Sequence, residues 1–362
     1  VRSHAMISKH LGKIGRRLER LAGEEAAAGH RETAMDLWFE ASTAYANAQH
    51  TIMANTAEKQ ELHSSSLRAF EHVRELAPYA IERVEIAWEG FTLAGNLHVA
   101  PGGGKKPLVF FVPGCDMTKE MAPHPRWNHA GQRDMHYFVF DGPGQGESNL
   151  QGVALTSDNY EQAAVAALDV LLARPDVDAE RVAVYGLSFG SFWALRIAAR
   201  DERVAAVAAP WASYGDKRHL LDEESPRFKQ LFAYLTQAES EAELDAIAAS
   251  MTVEDDVARI ACPTLLVSGE YDPRSPIDEV YELFDRCGEQ TELWVFGDQH
   301  HMVSLLGRSD VPLWMLDIHA LALDWLRDRL EGRPSRTAGN VLYLEHGEGP
   351  SAPSPAMKRS WL

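Results

Sequence analysis

The stretch Gly186-Leu187-Ser188-Phe189-Gly190 constrains this chain more than any other. It fits G-x-S-x-G, and its flanks match the pattern's structural context. Arg181–Tyr185 before it is a short apolar segment of β type, and Ser191–Arg200 after it reads as a helix. A strand, a sharp turn and a helix together place Ser188 at a strained tip. They also leave the backbone N–H of Phe189 facing any carbonyl that the serine attacks.

The rest of the chain is organised around that turn. Residues 6–77 lack strand alternation and read as helices at about 7–29, 31–53 and 57–76. Pro78 marks a change of period. Val84–Trp88 and Phe91–Ala94 alternate, and Gly95-Asn96 reads as a break before Leu97–Val99, so an antiparallel edge meander is expected. Pro107–Val112 and His136–Phe140 are continuous apolar runs, which suit strands buried on both faces of a parallel sheet. Further strands are expected at 181–185, 204–209, 264–268 and 292–296, alternating with helices at about 159–173, 191–200, 277–287 and 312–330. The alternation predicts an α/β fold with a doubly wound, mostly parallel sheet. Its parts are an N-terminal helical domain (6–77), a core (78–332) and a helical lid insertion at about 211–259. Residues 333–362, rich in Pro, Ser and Gly, read as a poorly packed tail, of which Lys358–Leu362 is free to dock.

Charge and cysteine content exclude several classes. A formal net charge of −18 over 362 residues makes nucleic acid or an anionic membrane surface a poor partner. No apolar run approaches the roughly 20 residues that span a bilayer. The start is Arg-rich without an apolar core, so no secretory signal is expected, and Val1–Ala5 before Met6 reads as a cloning remnant. Cys115, Cys262 and Cys287 are widely spaced, which suggests reduced thiols in a cytoplasmic protein and no zinc site.

A serine hydroxyl needs a base to take its proton, and the base needs an acid to orient it. Both are expected just past later strands, in the order serine, acid, histidine. The candidate acid is Asp272, with Glu270 and Asp278 as weaker alternatives. The candidate base is His300, placed ahead of its neighbour His301. An oxyanion hole needs two N–H donors where negative charge develops. Phe189 supplies one, and the loop after Val112 the other, by position Cys115 with Asp116 next. The Cys115 side chain reads as a small apolar filler. Asp141–Gly146 lacks the lysine and hydroxyl residue of a phosphate loop and the spacing of a dinucleotide fingerprint, so it reads as a tight turn. His124, His129, His136 and His219 show no ligand spacing, so neither metal nor cofactor is expected.

These residues resemble the α/β-hydrolase superfamily. Within it the chain resembles the family of 2,6-dihydroxypseudooxynicotine hydrolase and the fungal hydrolases that shorten naphthopyrone precursors. The likeness covers about 25–335. It is carried by Ala27–Gly29, Trp38-Phe39, Gly114, Thr118–Glu120, Phe140–Glu147, the elbow, Ile260–Thr264 and Gly297–His300, and it extends to the tail's Met357-Lys358. The chain departs from the pattern at Phe189, Ser191 and Val112-Pro113, and its lid aromatics are its own: Trp211, Tyr214, Phe228, Phe232 and Tyr234.

The resemblance implies hydrolysis of a carbon–carbon bond in a β-diketone-like aromatic or polyketide substrate, through an acyl-enzyme. It also implies a pocket between helical domain and core, and a homodimer. An acidic lid residue maps to Glu224, within Asp222-Glu223-Glu224. Trp211 and Tyr214 are expected to contact the substrate. The same serine, acid and histidine also suit a carboxylesterase or thioesterase, or an acyltransferase or cyclase.

Overall fold

The computed structural model describes residues 4–306, 311–312 and 315–345. Three helices come first: α1 (His4–Ala27), α2 (Arg31–His50) and α3 (Ala57–Leu76). Small residues bring them close. A Cβ at Gly15 of α1 would stand 2.8 Å from the ring of Tyr45 on α2. The hydroxyls of Ser42 on α2 and Ser66 on α3 each donate to the other's carbonyl at 2.9 Å, which satisfies both polar groups inside the seam. Thr56 caps α3 by accepting from Lys59 N.

The chain then enters a sheet through β1 (Ile81–Trp88) and β2 (Phe91–His98), which pair antiparallel. It continues through β3 (Lys106–Val112), β4 (His136–Phe140), a short α4 (Gly146–Leu150), α5 (Asn159–Leu172), β5 (Val177–Gly186) and α6 (Phe189–Arg200). After β6 (Val204–Pro210) comes an insertion of α7 (Lys217–Glu223), α8 (Pro226–Thr236) and α9 (Glu241–Ser250). The described residues continue with β7 (Thr264–Gly269), α10 (Ile277–Phe284), β8 (Thr291–Phe296), α11 (Asp317–Leu330) and β9 (Val341–Leu344). Among the described residues the strand order is β1-β2-β4-β3-β5-β6-β7-β8-β9. β2 and β4 are antiparallel, and every pair beyond β4 is parallel.

The continuous apolar runs are explained by the two faces of this sheet. Leu108, Phe110 and Val112 of β3 enter a core with α5 and α6, whereas Val109 and Phe111 enter the opposite core against α11. A strand with helices on both sides has no face for polar residues. No described helix is long and apolar enough to cross a membrane.

The structure corrects two expectations. Gly95-Asn96 is no break, because β2 runs through it, with Gly95 opposite Phe140. A Cβ at Gly95 would stand 2.3 Å from the Phe138 ring, so this glycine makes room for an aromatic inside a strand. Nor is 333–362 loose throughout. β9 lies parallel to β8 and buries Leu342 and Leu344. Residues 346–362, with Met357-Lys358 and the docking segment Lys358–Leu362, lie outside the described residues.

Candidate active site

β5 delivers the chain to Gly186 and α6 begins at Phe189. Between them Ser188 has φ 55° and ψ −124°, a conformation that ordinary residues avoid. Close approach enforces it. A Cβ at Gly186 would lie 2.2 Å from Gly190 O, and one at Gly190 would lie 2.0 Å from Val112 O. Glycine at both positions lets the helix leave directly over the strands.

Ser188 Oγ stands 2.7 Å from His301 Nε2. His301 Nδ1 stands 2.7 Å from Asp272 Oδ2. The carboxylate accepts from Nδ1–H, which assigns the tautomer and leaves Nε2 to accept from the serine hydroxyl. Asp272 is 3% exposed, and its Oδ1 accepts from Arg274 N at 2.9 Å.

The histidine in this relay is therefore His301, and the expectation of His300 is corrected. His300 is exposed, with Nδ1 2.8 Å from Tyr271 O. The loop after β8 is fixed from several sides. Tyr271 N donates to Gln299 O at 2.9 Å. The Gln299 side chain bonds Ser304 O and Ser304 N, each at 2.8 Å. A Cβ at Gly269 would stand 2.1 Å from His300 O, so strand end and loop are in contact. These contacts turn residue 301 inward and residue 300 outward. Glu270 does not meet His301 either. Its Oε2 accepts from Asp298 N at 3.0 Å and from Tyr343 OH at 2.6 Å, which braces the loop. Asp278 sits in the first turn of α10.

Phe189 is the first residue of α6, so its N–H is one of the amides that the helix itself leaves unpaired. The loop after β3 approaches from the other side, where a Cβ at Gly114 would lie 3.6 Å from Ser188 Cβ. Cys115 follows and lines the same cleft as Ser188. Burial pushes its thiol far above the ordinary range, so it stays protonated.

The cleft over Ser188 has a volume of about 290 Å³. His50 at the end of α2, Asp116, Arg274 and the insertion's Glu224, Arg227 and Phe228 line it. Glu224 Oε1 accepts from Arg274 Nε at 2.9 Å, and the Arg274 guanidinium lies 4.5 Å from the centre of the Phe228 ring. Burial pushes His50 down to about 4, against the pull of Asp116 and with help from Arg227 and Lys59. A neutral imidazole thus enters the cleft from the N-terminal helices.

Trp211 and Tyr214 do not line this cleft, contrary to expectation. Trp211 Nε1 donates to Val303 O at 3.2 Å, and its ring lies 6.3 Å from that of His301. The Tyr214 hydroxyl bonds Ala209 O and accepts from Val267 N. Both rings are core, 4% and 2% exposed. Conversely, His50, Arg227 and Arg274 escaped the sequence reading. Arg274 had a signal in lying two residues past Asp272, whereas only the fold brings α2 to the elbow. Among the described residues, no group of three or more metal-ligating side chains is placed to hold an ion.

The model of the family described as FrsA-like esterases matches residues 18–230, and that of acetyl xylan esterase matches 158–311. The chain is 28% identical over 307 residues to 2,6-dihydropseudooxynicotine hydrolase of Paenarthrobacter nicotinovorans, which covers 83% of this chain and 81% of the relative. A solved structure of 2,6-dihydroxy-pseudo-oxynicotine hydrolase superposes with a TM-score of 0.80 at 25% identity, covering 91% of this chain and 90% of that one. The α/β hydrolase gkaG of Penicillium citrinum is 33% identical over 207 residues, 54% of this chain and 48% of its own. The matched segment therefore spans about half the length of that fungal relative.

Proposed function

This chain belongs to the FrsA-like esterase family of the α/β-hydrolases, and from that premise we propose that it is a serine hydrolase working through an acyl-enzyme. The observation that carries the proposal is the unbroken relay Ser188–His301–Asp272, at 2.7 Å for each link, opening onto a cleft. Ser188 Oγ attacks a substrate carbonyl carbon and its proton passes to His301 Nε2. Asp272 holds the resulting imidazolium in place. The N–H groups of Phe189 and Cys115 receive the oxyanion. His301 then protonates the leaving group, and water, activated by the same base, releases the acid.

The bond we propose joins the attacked carbonyl carbon to the carbon between the two carbonyls of a β-diketone-like aromatic or polyketide substrate. Its departing group is an enolate, which needs a cationic or donor group beside it until carbon is protonated. Arg274, paired with Glu224, and the neutral His50 supply polar groups in the cleft. The resemblance to 2,6-dihydropseudooxynicotine hydrolase along most of both chains supports the same reading. A homodimer in the cytoplasm belongs to this proposal, the setting being supported by three free cysteines.

A carboxylesterase is the second reading, favoured by the esterase descriptions of both matching families. Mass spectrometry separates the two. A 1-aryl-1,3-diketone and a matched aryl ester are incubated with wild type and with Ser188→Ala. Serine-dependent release of an acid and a methyl ketone from the diketone is the result expected. Turnover of the ester alone would favour the esterase.

A further inference from the structure

We propose that Gln145 is a positioning residue that aims the second oxyanion donor, by holding the peptide plane between Gly114 and Cys115. The inference rests on the serine-hydrolase reading and adds a residue to it.

The Gly114 carbonyl and the Cys115 N–H belong to one planar trans peptide, so they point in opposite directions. Fixing the oxygen therefore fixes the direction of the N–H. Gln145 Nε2 donates to Gly114 O at 2.9 Å, and Met117 N donates to the same oxygen at 3.1 Å. Met117 N lies within the loop and moves with it. Gln145 comes from another strand end, just past β4, and ties the loop to the body of the fold.

The amide of Gln145 is itself oriented. The Gly114 carbonyl can only accept, so Nε2 must face it, and the Tyr160 hydroxyl then donates to Gln145 Oε1 at 3.0 Å. Tyr160, on α5, stacks on Trp193 of the elbow helix, with centroids 5.2 Å apart and planes 17° apart. Gly142 leaves room for this ring, since a Cβ there would lie 2.3 Å from it. Gln145 is 5% exposed and Tyr160 1%, so water does not compete for these bonds. Packing thus connects the helix that supplies one oxyanion donor to the peptide that supplies the other. The run Asp141–Gly146, which has neither phosphate-loop nor dinucleotide spacing, gains a purpose: it carries the side chain that sets the hole.

The test uses a fluorophosphonate on the full chain, which requires no knowledge of the substrate. Ser188 Oγ forms a bond to phosphorus, the P–F bond breaks, fluoride leaves, and the serine proton goes to His301. The P=O oxygen takes the place of the oxyanion. Intact mass and peptide mapping report the adduct at Ser188, and its rate is followed in wild type, Gln145→Leu and Gln145→Glu. Labelling of the wild type at Ser188 tests the serine-hydrolase reading separately, and no labelling there would overturn that reading.

Gln145→Leu is expected to label about 10- to 100-fold more slowly, short of the full loss of a donor, roughly 10²–10³. Gln145→Glu keeps the shape and the Tyr160 bond. Its carboxylate cannot donate to Gly114 O, but its protonated form can. Its rate relative to wild type is therefore expected to recover as pH falls, which a merely structural role would not produce. Labelling by Gln145→Leu within about twofold of wild type would overturn the proposal. So would a Glu-to-wild-type ratio that stays well below one at every pH, an outcome that decides the matter even if Gln145→Leu fails to fold.

Discussion

His301 and Ser188 meet at 2.7 Å, although 112 residues separate them in the chain, while His300, one residue nearer, faces the Tyr271 carbonyl. Adjacent histidines thus have opposite fates. His301→Ala is expected to lower turnover by several orders of magnitude, on the scale of roughly 10⁶ seen for a lost base. His300→Ala should leave it within a few-fold. Steady-state kinetics on any turned-over ester decides, and the reverse ranking would return the role to His300.

Asp272 accepts from His301 and from Arg274 N, and is buried. Asp272→Asn keeps the shape but presents an amide to the imidazole, which favours the wrong tautomer. The expected loss in kcat is about 10⁴ with little change in KM. A loss confined to KM would mean that Asp272 serves substrate binding instead.

Glu224 reaches the cleft as the partner of Arg274. Glu224→Gln removes the charge that holds this guanidinium in place. Diketone cleavage, which must manage an enolate, is expected to slow far more than p-nitrophenyl acetate cleavage, whose leaving group needs no such help. Equal losses on the two substrates would remove Glu224 from carbon–carbon chemistry.

Burial pushes His63 down to about 4, with Lys119 helping, and among the described residues neither of its ring nitrogens has a hydrogen-bond partner. The folded protein keeps this ring neutral, whereas the unfolded chain takes up a proton below about 6.5. Between those values the unfolded state binds more protons, so the contribution of His63 to stability falls as pH drops from 6.5 to about 4. His63→Leu removes that uptake. The difference in Tm between the variant and wild type should shift in the variant's favour across this window. A difference that does not change between pH 7 and pH 4.5 would show that His63 does not titrate in this way.

Much of the fold was legible because period and composition report burial. The apolar runs at 107–112 and 136–140 became strands between two cores, and the elbow glycines are required by contacts of 2.0 and 2.2 Å. The positions of Ser188 and Asp272 were legible for the same reason, as each lies just past a buried strand. The histidine was not, because two neighbours share every local signal. Loop contacts from Gln299 and Gly269 decide between them. Trp211 and Tyr214 misled because an aromatic in an insertion reads alike whether it meets a substrate or packs beneath the strand ends. β9 was hidden by the Gly- and Pro-rich sequence around it, since a short edge strand carries few side chains of diagnostic type.

That last strand bears on how the protein is made. β9 pairs with β8, Gly297 N donates to Leu344 O at 2.9 Å, and Tyr343 bonds the Glu270 that braces the histidine loop. A nascent chain therefore exposes an open edge at β8 until β9 has left the ribosome. Such an edge is a template for pairing with other chains. A product released short of Val341 would lose the brace on His301 and at the same time gain a surface prone to aggregation.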